Sequence, residues 1–307
     1  MAVNRFMRAA LRALSYTDVD LGDRYKLQRK IIRIANHHRK PPYKMWDHVV
    51  AYENHAIPVR IFAPSERESK SIILFFHGGG WITGFIDSYD RVCANLAEMT
   101  GHSVVSVDYR SAPEYRFPAA PEDCYRVTRE IFLEPSLLQT EPDRITIMGD
   151  SAGGNLAAAV SLMARDRGEF LPARQILLYP CAYHDHTEQS PYASARSGHK
   201  KYLLTAKRIN DYMALYMADE KDLQNPYFAP LASKDFRNQP DTLIITAEHD
   251  PLRDEAEDYG KRLKEAGNTV EVHRIPDALH GFFTMPPFFS QVRDCYKIIL
   301  NFLKIEK

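Results

Sequence analysis

From Ile72 onward the chain alternates short, mostly apolar runs with longer segments of helical periodicity. The first run, Ile72-Ile73-Leu74-Phe75-Phe76, has no polar residue on either face. A strand tolerates that when helices cover both of its faces, as in a parallel sheet. A helix capped by Asp87 or Ser88 follows, with Val92, Leu96 and Met99 inward and Gly101 as its stop. The rhythm repeats. Ser103 to Val107 predicts a strand and Cys124 to Phe132 a helix. Ile145 to Met148 predicts a strand, and Ala152 to Arg167 a helix ended by Gly168. Gln175 to Tyr179 and Thr242 to Ala247 predict two more strands, the second leading into a helix that reaches Ala266 and stops at Gly267. Val270 to Ile275 predicts the last strand, and Val292, Tyr296, Ile299 and Leu303 mark a C-terminal helix. Such alternation specifies an α/β chain with a mostly parallel central sheet flanked by helices.

The pattern has a preface and one interruption. Trp46 to Tyr52 and Ile57 to Phe62 alternate in polarity and predict an antiparallel pair. Ahead of them, Phe6, Ala10 and Leu14 recur every four residues with Arg5, Arg8 and Arg12 on another face, and a second basic helix is expected over Tyr25 to His38, ended by Pro41-Pro42. The arginines break any signal-peptide core, and Asp18, Asp20 and Asp23 oppose a transit peptide, so an amphipathic helix packed on the protein is expected. The interruption lies between Tyr179 and Asp241. It is polar, Tyr-rich and partly helical around Lys207 to Met217. It is too long for a loop in a compact domain and predicts an insertion that covers something.

Composition limits the partners. Forty basic residues balance forty acidic ones among 307, so no global field steers the chain to nucleic acid or an anionic membrane. No apolar run approaches a membrane-spanning length. Cys93, Cys124, Cys181 and Cys295 form no C-x-x-C pair, which removes zinc-ribbon and thioredoxin readings and leaves reduced, buried thiols in a cytoplasmic protein as the expectation. Oligomeric state stays open, with a homodimer one expectation. The pairs Phe282-Phe283 and Phe288-Phe289 could line a pocket, an interface or the core.

The residues that carry chemistry sit at strand ends. Gly149-Asp150-Ser151-Ala152-Gly153-Gly154 joins the Ile145 strand to the following Ala-rich helix. G-x-S-x-G alone arises by chance in roughly one chain in ten of this size, but a strand before it and a helix after it give the sharp turn that projects a serine hydroxyl beside free backbone N–H groups. His77-Gly78-Gly79-Gly80-Trp81 follows another apolar strand. Three consecutive glycines are entropically costly, and backbone N–H groups without side chains nearby can approach a developing oxyanion. The run lacks the Lys-Ser/Thr of a phosphate loop and the glycine spacing of a dinucleotide site, so no cofactor is called for. His77 is expected to brace the loop by hydrogen bonding. Of 12 histidines, His280, after the last strand, is best placed as a base, and Asp250 is the preferred acid, with Glu248 weaker and Asp254 expected to cap the next helix. His184-Asp185-His186 has no third ligand at motif spacing and is expected to be a solvated loop, and no metal is expected. The order Ser, Asp, His is the one described for α/β-hydrolases.

At these residues the sequence resembles the hormone-sensitive-lipase-like (bacterial type IV) esterases of the α/β-hydrolase superfamily. The motifs are H-G-G-G-W at 77, D-Y-R-S-A-P-E at 108, G-D-S-A-G-G at 149, D-P-L-R-D-E at 250 and H-G-F at 280. The resemblance implies an α/β-hydrolase fold with a helical cap and a triad of Ser151, Asp250 and His280. It also implies an oxyanion hole from the N–H groups of Gly79, Gly80 and Ala152. Residues 108–114 would be a structural turn with Arg110 paired to an acid. Residues 1–45 would form the N-terminal part of the cap, 46–180 and 241–307 the two parts of the core, and 181–240 the cap insertion. Trp81 and Ser111 depart from the commoner phenylalanine and leucine, and Trp81 is a candidate substrate-binding residue. The implied activity is hydrolysis of small-molecule, short- to medium-chain acyl esters through an acyl-enzyme. An amidase or arylformamidase is the alternative, and a non-catalytic receptor a remoter one.

Overall fold

The computed structural model describes residues 21–36, 43–52, 55–65, 70–197 and 204–305. The helix expected within residues 1–16 and the proline pair at 41–42 lie outside them. Eight strands form one sheet: β1 (Met45–Tyr52), β2 (His55–Phe62), β3 (Ile72–Phe76), β4 (Ser103–Val107), β5 (Ile145–Asp150), β6 (Arg174–Leu178), β7 (Asp241–His249) and β8 (Val270–Leu279). Their order is β1-β2-β4-β3-β5-β6-β7-β8. The β1–β2 and β2–β4 pairs are antiparallel, and every pair from β4 to β8 is parallel. The helices are α1 (Leu21–Asn36), α2 (Asp90–Thr100), α3 (Ala119–Leu133), α4 (Ala152–Arg167), α5 (Ala193–Ser197), α6 (Ala206–Tyr216), α7 (Arg253–Glu265) and α8 (Ser290–Phe302).

Strand alternation sorts the apolar runs onto two cores. Ile72, Leu74 and Phe76 of β3 join Val127, Leu156, Tyr259 and Leu263 of α3, α4 and α7 on one face. Ile73 and Phe75 join Val92, Leu96, Val292 and Ile299 of α2 and α8 on the other. The absence of polar residues in β3 follows, since all five are buried. Each such side chain contributes roughly 1.5–3 kcal/mol on full burial. All four cysteines are free and buried. Phe282 and Phe283 belong to the second core, whereas Phe288 is exposed and stacks on Phe289.

β8 runs to Leu279, four residues beyond the expected Ile275, because Asp277 takes φ +55 and its N–H is accepted by Glu248 Oε2 at 2.7 Å. The strand bends there rather than ending, and delivers His280 directly.

The 108–114 turn is held as expected. Arg110 forks onto Asp123, with Nη2 to Oδ1 at 2.7 Å, and Asp123 also accepts the Arg110 N–H at 2.9 Å. α1 is fastened to the same turn, with Arg29 bonded to Glu114 at 2.9 Å and to the carbonyls of Ile82 and Ala112 at 2.6 Å each.

Candidate active site

The parallel strands bring their carboxyl ends to one edge, and four of them carry the singled-out residues there. Ser151 stands between β5 and α4 at φ +56 and ψ −118, a conformation that costs an ordinary residue on the order of 1–3 kcal/mol. The turn holds because its neighbours are glycines. A Cβ on Gly153 would lie 1.9 Å from the Phe76 carbonyl oxygen, and one on Gly149 would lie 2.2 Å from that of Gly153. Only bare backbone lets α4 press this close to β3 and β5.

The Ser151 hydroxyl donates to His280 Nε2 at 2.8 Å, and His280 Nδ1–H donates to Asp250 Oδ2 at 2.7 Å. The carboxylate accepts only, so the proton sits on Nδ1 and the Nε2 lone pair faces the serine. Asp250 is 2 % exposed, and its other oxygen accepts the Leu252 N–H at 2.9 Å. Tyr179 packs edge-on against the imidazole, ring centres 4.9 Å apart. Glu248 instead bonds the Asp277 backbone. Asp254, expected to cap its own helix, accepts the Ser194 N–H of α5 at 2.7 Å, and Leu252 holds the N-cap position of α7.

The glycine loop follows β3. Gly79, Gly80 and Trp81 all take positive φ, at +109, +61 and +58. The Gly79 carbonyl accepts the Thr83 and Ile82 N–H groups at 2.9 and 3.1 Å. His77 braces the loop as expected, Nδ1–H donating to the Gly78 carbonyl at 2.9 Å, and its ring stacks on Tyr109 at 4.3 Å. Burial pushes this imidazole down toward the neutral form. Gly79, Gly80 and Ala152 line one cavity of about 240 Å³ together with Ser151, His280 and Trp81. Leu204, Arg208, Ile209 and Tyr212 close it from the 181–240 insertion, and Gln28 from α1. Trp81 is 2 % exposed and lies flat on Tyr216, centroids 4.5 Å apart and planes 4° apart.

Several residues of the site have roles the sequence did not single out, Asp150 and Glu255 among them although they stand within the G-D-S-A-G-G and D-P-L-R-D-E motifs. Asp150 is 2 % exposed, and burial pushes its carboxyl up to about 6 against the hydrogen bonds that favour its charge. Asn155, fully buried on α4, donates to the carbonyls of Cys181 and Phe228 at 2.8 Å each, clamping two points of the insertion. A polar residue on the buried face of an Ala-rich helix was the available signal. Glu255 and His186 correct the solvated-loop expectation for residues 184–186. Both are fully buried, and His186 Nε2 lies 2.7 Å from Glu255 Oε2.

Two groups of metal-ligand side chains occur among the described residues, Cys181 with His186 and Glu255, and Glu248 with His249 and Asp277. In the first, Glu255 uses Oε1 on the N–H groups of Ala182 and Tyr183 and Oε2 on His186. That pattern is a hydrogen-bonded strut.

A serine, a histidine and a buried carboxylate in series, at the carboxyl edge of a mostly parallel sheet and beside a glycine loop, define an α/β-hydrolase. The family model described as "alpha/beta hydrolase fold" matches residues 73–284, and the chain belongs to that family, in its hormone-sensitive-lipase-like branch. The chain is 38% identical over 247 residues to an arylesterase of Saccharolobus solfataricus, covering 80% of this chain and 79% of that protein. It is 34% identical over 248 residues to carboxylesterase NlhH of Mycobacterium tuberculosis, covering 79% and 76%. The solved structure of a hyperthermophilic esterase from Pyrobaculum calidifontis superposes with a TM-score of 0.86 at 33% identity, covering 99% of this chain and 98% of that one.

Proposed function

We propose that the chain is a serine carboxylesterase that hydrolyses short- to medium-chain acyl esters. One observation supports this most: the unbroken series from Ser151 Oγ through His280 to Asp250, at 2.8 and 2.7 Å, opening into the cavity lined by Gly79, Gly80 and Ala152. In this reading His280 takes the Ser151 proton as the oxygen attacks the ester carbonyl, and Asp250 stabilises the imidazolium. The N–H groups of Gly79, Gly80 and Ala152 receive the oxyanion, each worth on the order of 10²–10³ in rate. The protonated imidazole then hands its proton to the leaving alcohol. Water, activated by the same histidine, releases the acid from the acyl-enzyme.

The cavity of about 240 Å³ lies below the roughly 300–1,000 Å³ of sites for drug-sized ligands, which supports small acyl groups. Residues 1–45 and 181–240 are proposed as the cap over it, on cores formed by 46–180 and 241–307. No helix of the described residues is long and apolar enough to cross a membrane. A cytoplasmic location belongs to the proposal on the strength of four free, buried thiols, and a homodimer is the assembly it allows.

Hydrolysis of p-nitrophenyl esters of graded chain length, with fluorophosphonate labelling, tests the reading. Ser151→Ala should lose labelling and lower kcat on the order of 10⁴–10⁶-fold. Activity of the folded variant near the wild-type rate would sink it.

A further inference from the structure

We infer that Asp150 is the positioning residue that holds the glycine loop in register with the nucleophile, so that the loop's N–H groups face the carbonyl Ser151 attacks. This rests on the esterase reading above and adds a part to it.

Asp150 is the last residue of β5 and the immediate neighbour of Ser151. Its Oδ1 accepts the Gly78 N–H at 2.8 Å, and its Oδ2 accepts the Tyr89 hydroxyl at 3.0 Å. Gly78 opens the loop whose next two residues take φ +109 and +61. A glycine pair in such conformations has many neighbouring backbone states within reach. Its other bonds run within the loop or to α1 and the 108–114 turn region: Thr83 and Ile82 hold the Gly79 carbonyl, Tyr109 donates to the His77 carbonyl at 2.7 Å, Ala112 to the Trp81 carbonyl at 3.0 Å and Arg29 to the Ile82 carbonyl at 2.6 Å. The bond to Gly78 differs in kind. It ties the loop to the strand that carries the nucleophile, through the residue next to it. There is no slack in the contact, since a Cβ on Gly78 would lie 2.8 Å from both Asp150 Oδ2 and the Tyr89 hydroxyl oxygen.

The chemistry of the tether separates position from charge. Burial disfavours the carboxylate and lifts it to about 6, so a charge is an expensive way to fill this place. An amide of the same shape keeps an oxygen for the Gly78 N–H and offers its NH₂ to the Tyr89 oxygen, whereas alanine leaves both donors buried without an acceptor. If the role is position, asparagine substitutes and alanine does not.

The test compares Asp150→Ala, Asp150→Ser and Asp150→Asn with wild type at pH 8, with kcat expressed per site labelled to completion by a fluorophosphonate. For alanine we expect kcat to fall 10- to 100-fold with KM changed less than threefold. Affinity for a trifluoromethyl ketone, whose adduct carries the oxyanion, should weaken in parallel. Asparagine should return kcat to within about fivefold of wild type. A purely structural role would lower the labelled fraction and the melting temperature but leave kcat per labelled site intact. Should Asp150→Ala not fold, Asp150→Ser carries the same expected loss, its hydroxyl being too short to keep both contacts. The inference is overturned if alanine or serine retains more than a third of wild-type kcat per labelled site, or if asparagine is as poor as alanine. Wild type that resists labelling, with an active Ser151→Ala, would instead overturn the esterase reading itself.

Discussion

Removing the Glu255 carboxylate should loosen the segment that leaves β6, and the structure fixes how much. Glu255 sits in the first turn of α7 with no exposed surface. One oxygen accepts the N–H groups of Ala182 and Tyr183 at 2.8 and 3.1 Å, and the other faces His186 Nε2 at 2.7 Å. Glu255→Ala strands three buried donors, each costing about 1–3 kcal/mol when unsatisfied. Water entering the vacated space recovers part of that. Breaking a buried pair from one side typically costs about 3–5 kcal/mol, which is the expected loss here. With an unfolding entropy of about 2.1 cal/mol/K per residue, a chain of 307 residues should lose roughly 5–8 °C in melting temperature. Glu255→Gln keeps the oxygen for the two backbone donors and disturbs His186 alone, so its loss should be about a third as large. Urea unfolding followed by tryptophan fluorescence reads both variants. A cycle with His186→Ala should return a coupling on the order of 1–3 kcal/mol. A loss below about 1 kcal/mol for Glu255→Ala, or equal losses for alanine and glutamine, would refute the strut as drawn.

Gly153→Ala would place a Cβ 1.9 Å from the Phe76 carbonyl oxygen, so β3 and α4 must separate; we expect little soluble protein on expression, and what folds should fail fluorophosphonate labelling. Trp81→Leu removes the ring stacked on Tyr216 and should cost about 2–4 kcal/mol in urea unfolding, while shifting the optimum of a p-nitrophenyl ester series toward longer acyl chains. Asp150→Asn should remove one pH-dependent contribution to stability. The folded carboxyl, raised by burial from an ordinary 3.8 to about 6 beside Tyr89, Tyr179 and His280, holds its proton more tightly than the unfolded one. Its stabilising contribution is therefore present below about pH 4 and lost as pH rises through about 6. The variant lacks that loss, so its stability relative to wild type should improve between pH 4.5 and pH 8 by on the order of 1–3 kcal/mol in parallel urea titrations.

The sheet was legible because a strand buried on both faces must be largely apolar at both parities, as Ile72 to Phe76 is throughout and Ile145 to Met148 is apart from Thr146. The residues the structure brings together at the sheet edge were legible for a related reason. Ser151, Asp250 and His280 each directly follow, or nearly follow, a run that reads as strand, so a parallel sheet delivers them to one edge whatever separates them in sequence. What stayed hidden depends on partners far along the chain. His186 read as part of a solvated loop because no third ligand stood at motif spacing from His184 and His186; its partner is Glu255, 69 residues further along on α7. β8 read as ending at Ile275, before the turn formers Pro276 and Asp277, whereas the Glu248 carboxylate on the neighbouring strand accepts the Asp277 N–H where Asp277 takes φ +55. Asn155 lay inside an alanine run whose periodicity was satisfied without it.

These long-range contacts bear on selectivity as much as on stability. Tyr212 of α6 lines the cavity, and its ring lies so close to Gly80 that a Cβ there would sit 2.5 Å away. Trp81, the next residue, stacks on Tyr216, one turn further along the same helix, and Phe117 and Phe228 pack edge-on to each other beside them. This aromatic wall of the cavity is therefore pressed against the backbone proposed to receive the oxyanion. Side chains packed at interior density transmit displacement rather than absorb it. A bulkier acyl group that pushes α6 outward would also release Gly80 and Trp81 from their positive-φ conformations. Discrimination by size would then be expressed in kcat as well as in KM, because the group that does not fit also unseats the loop that would stabilise its transition state.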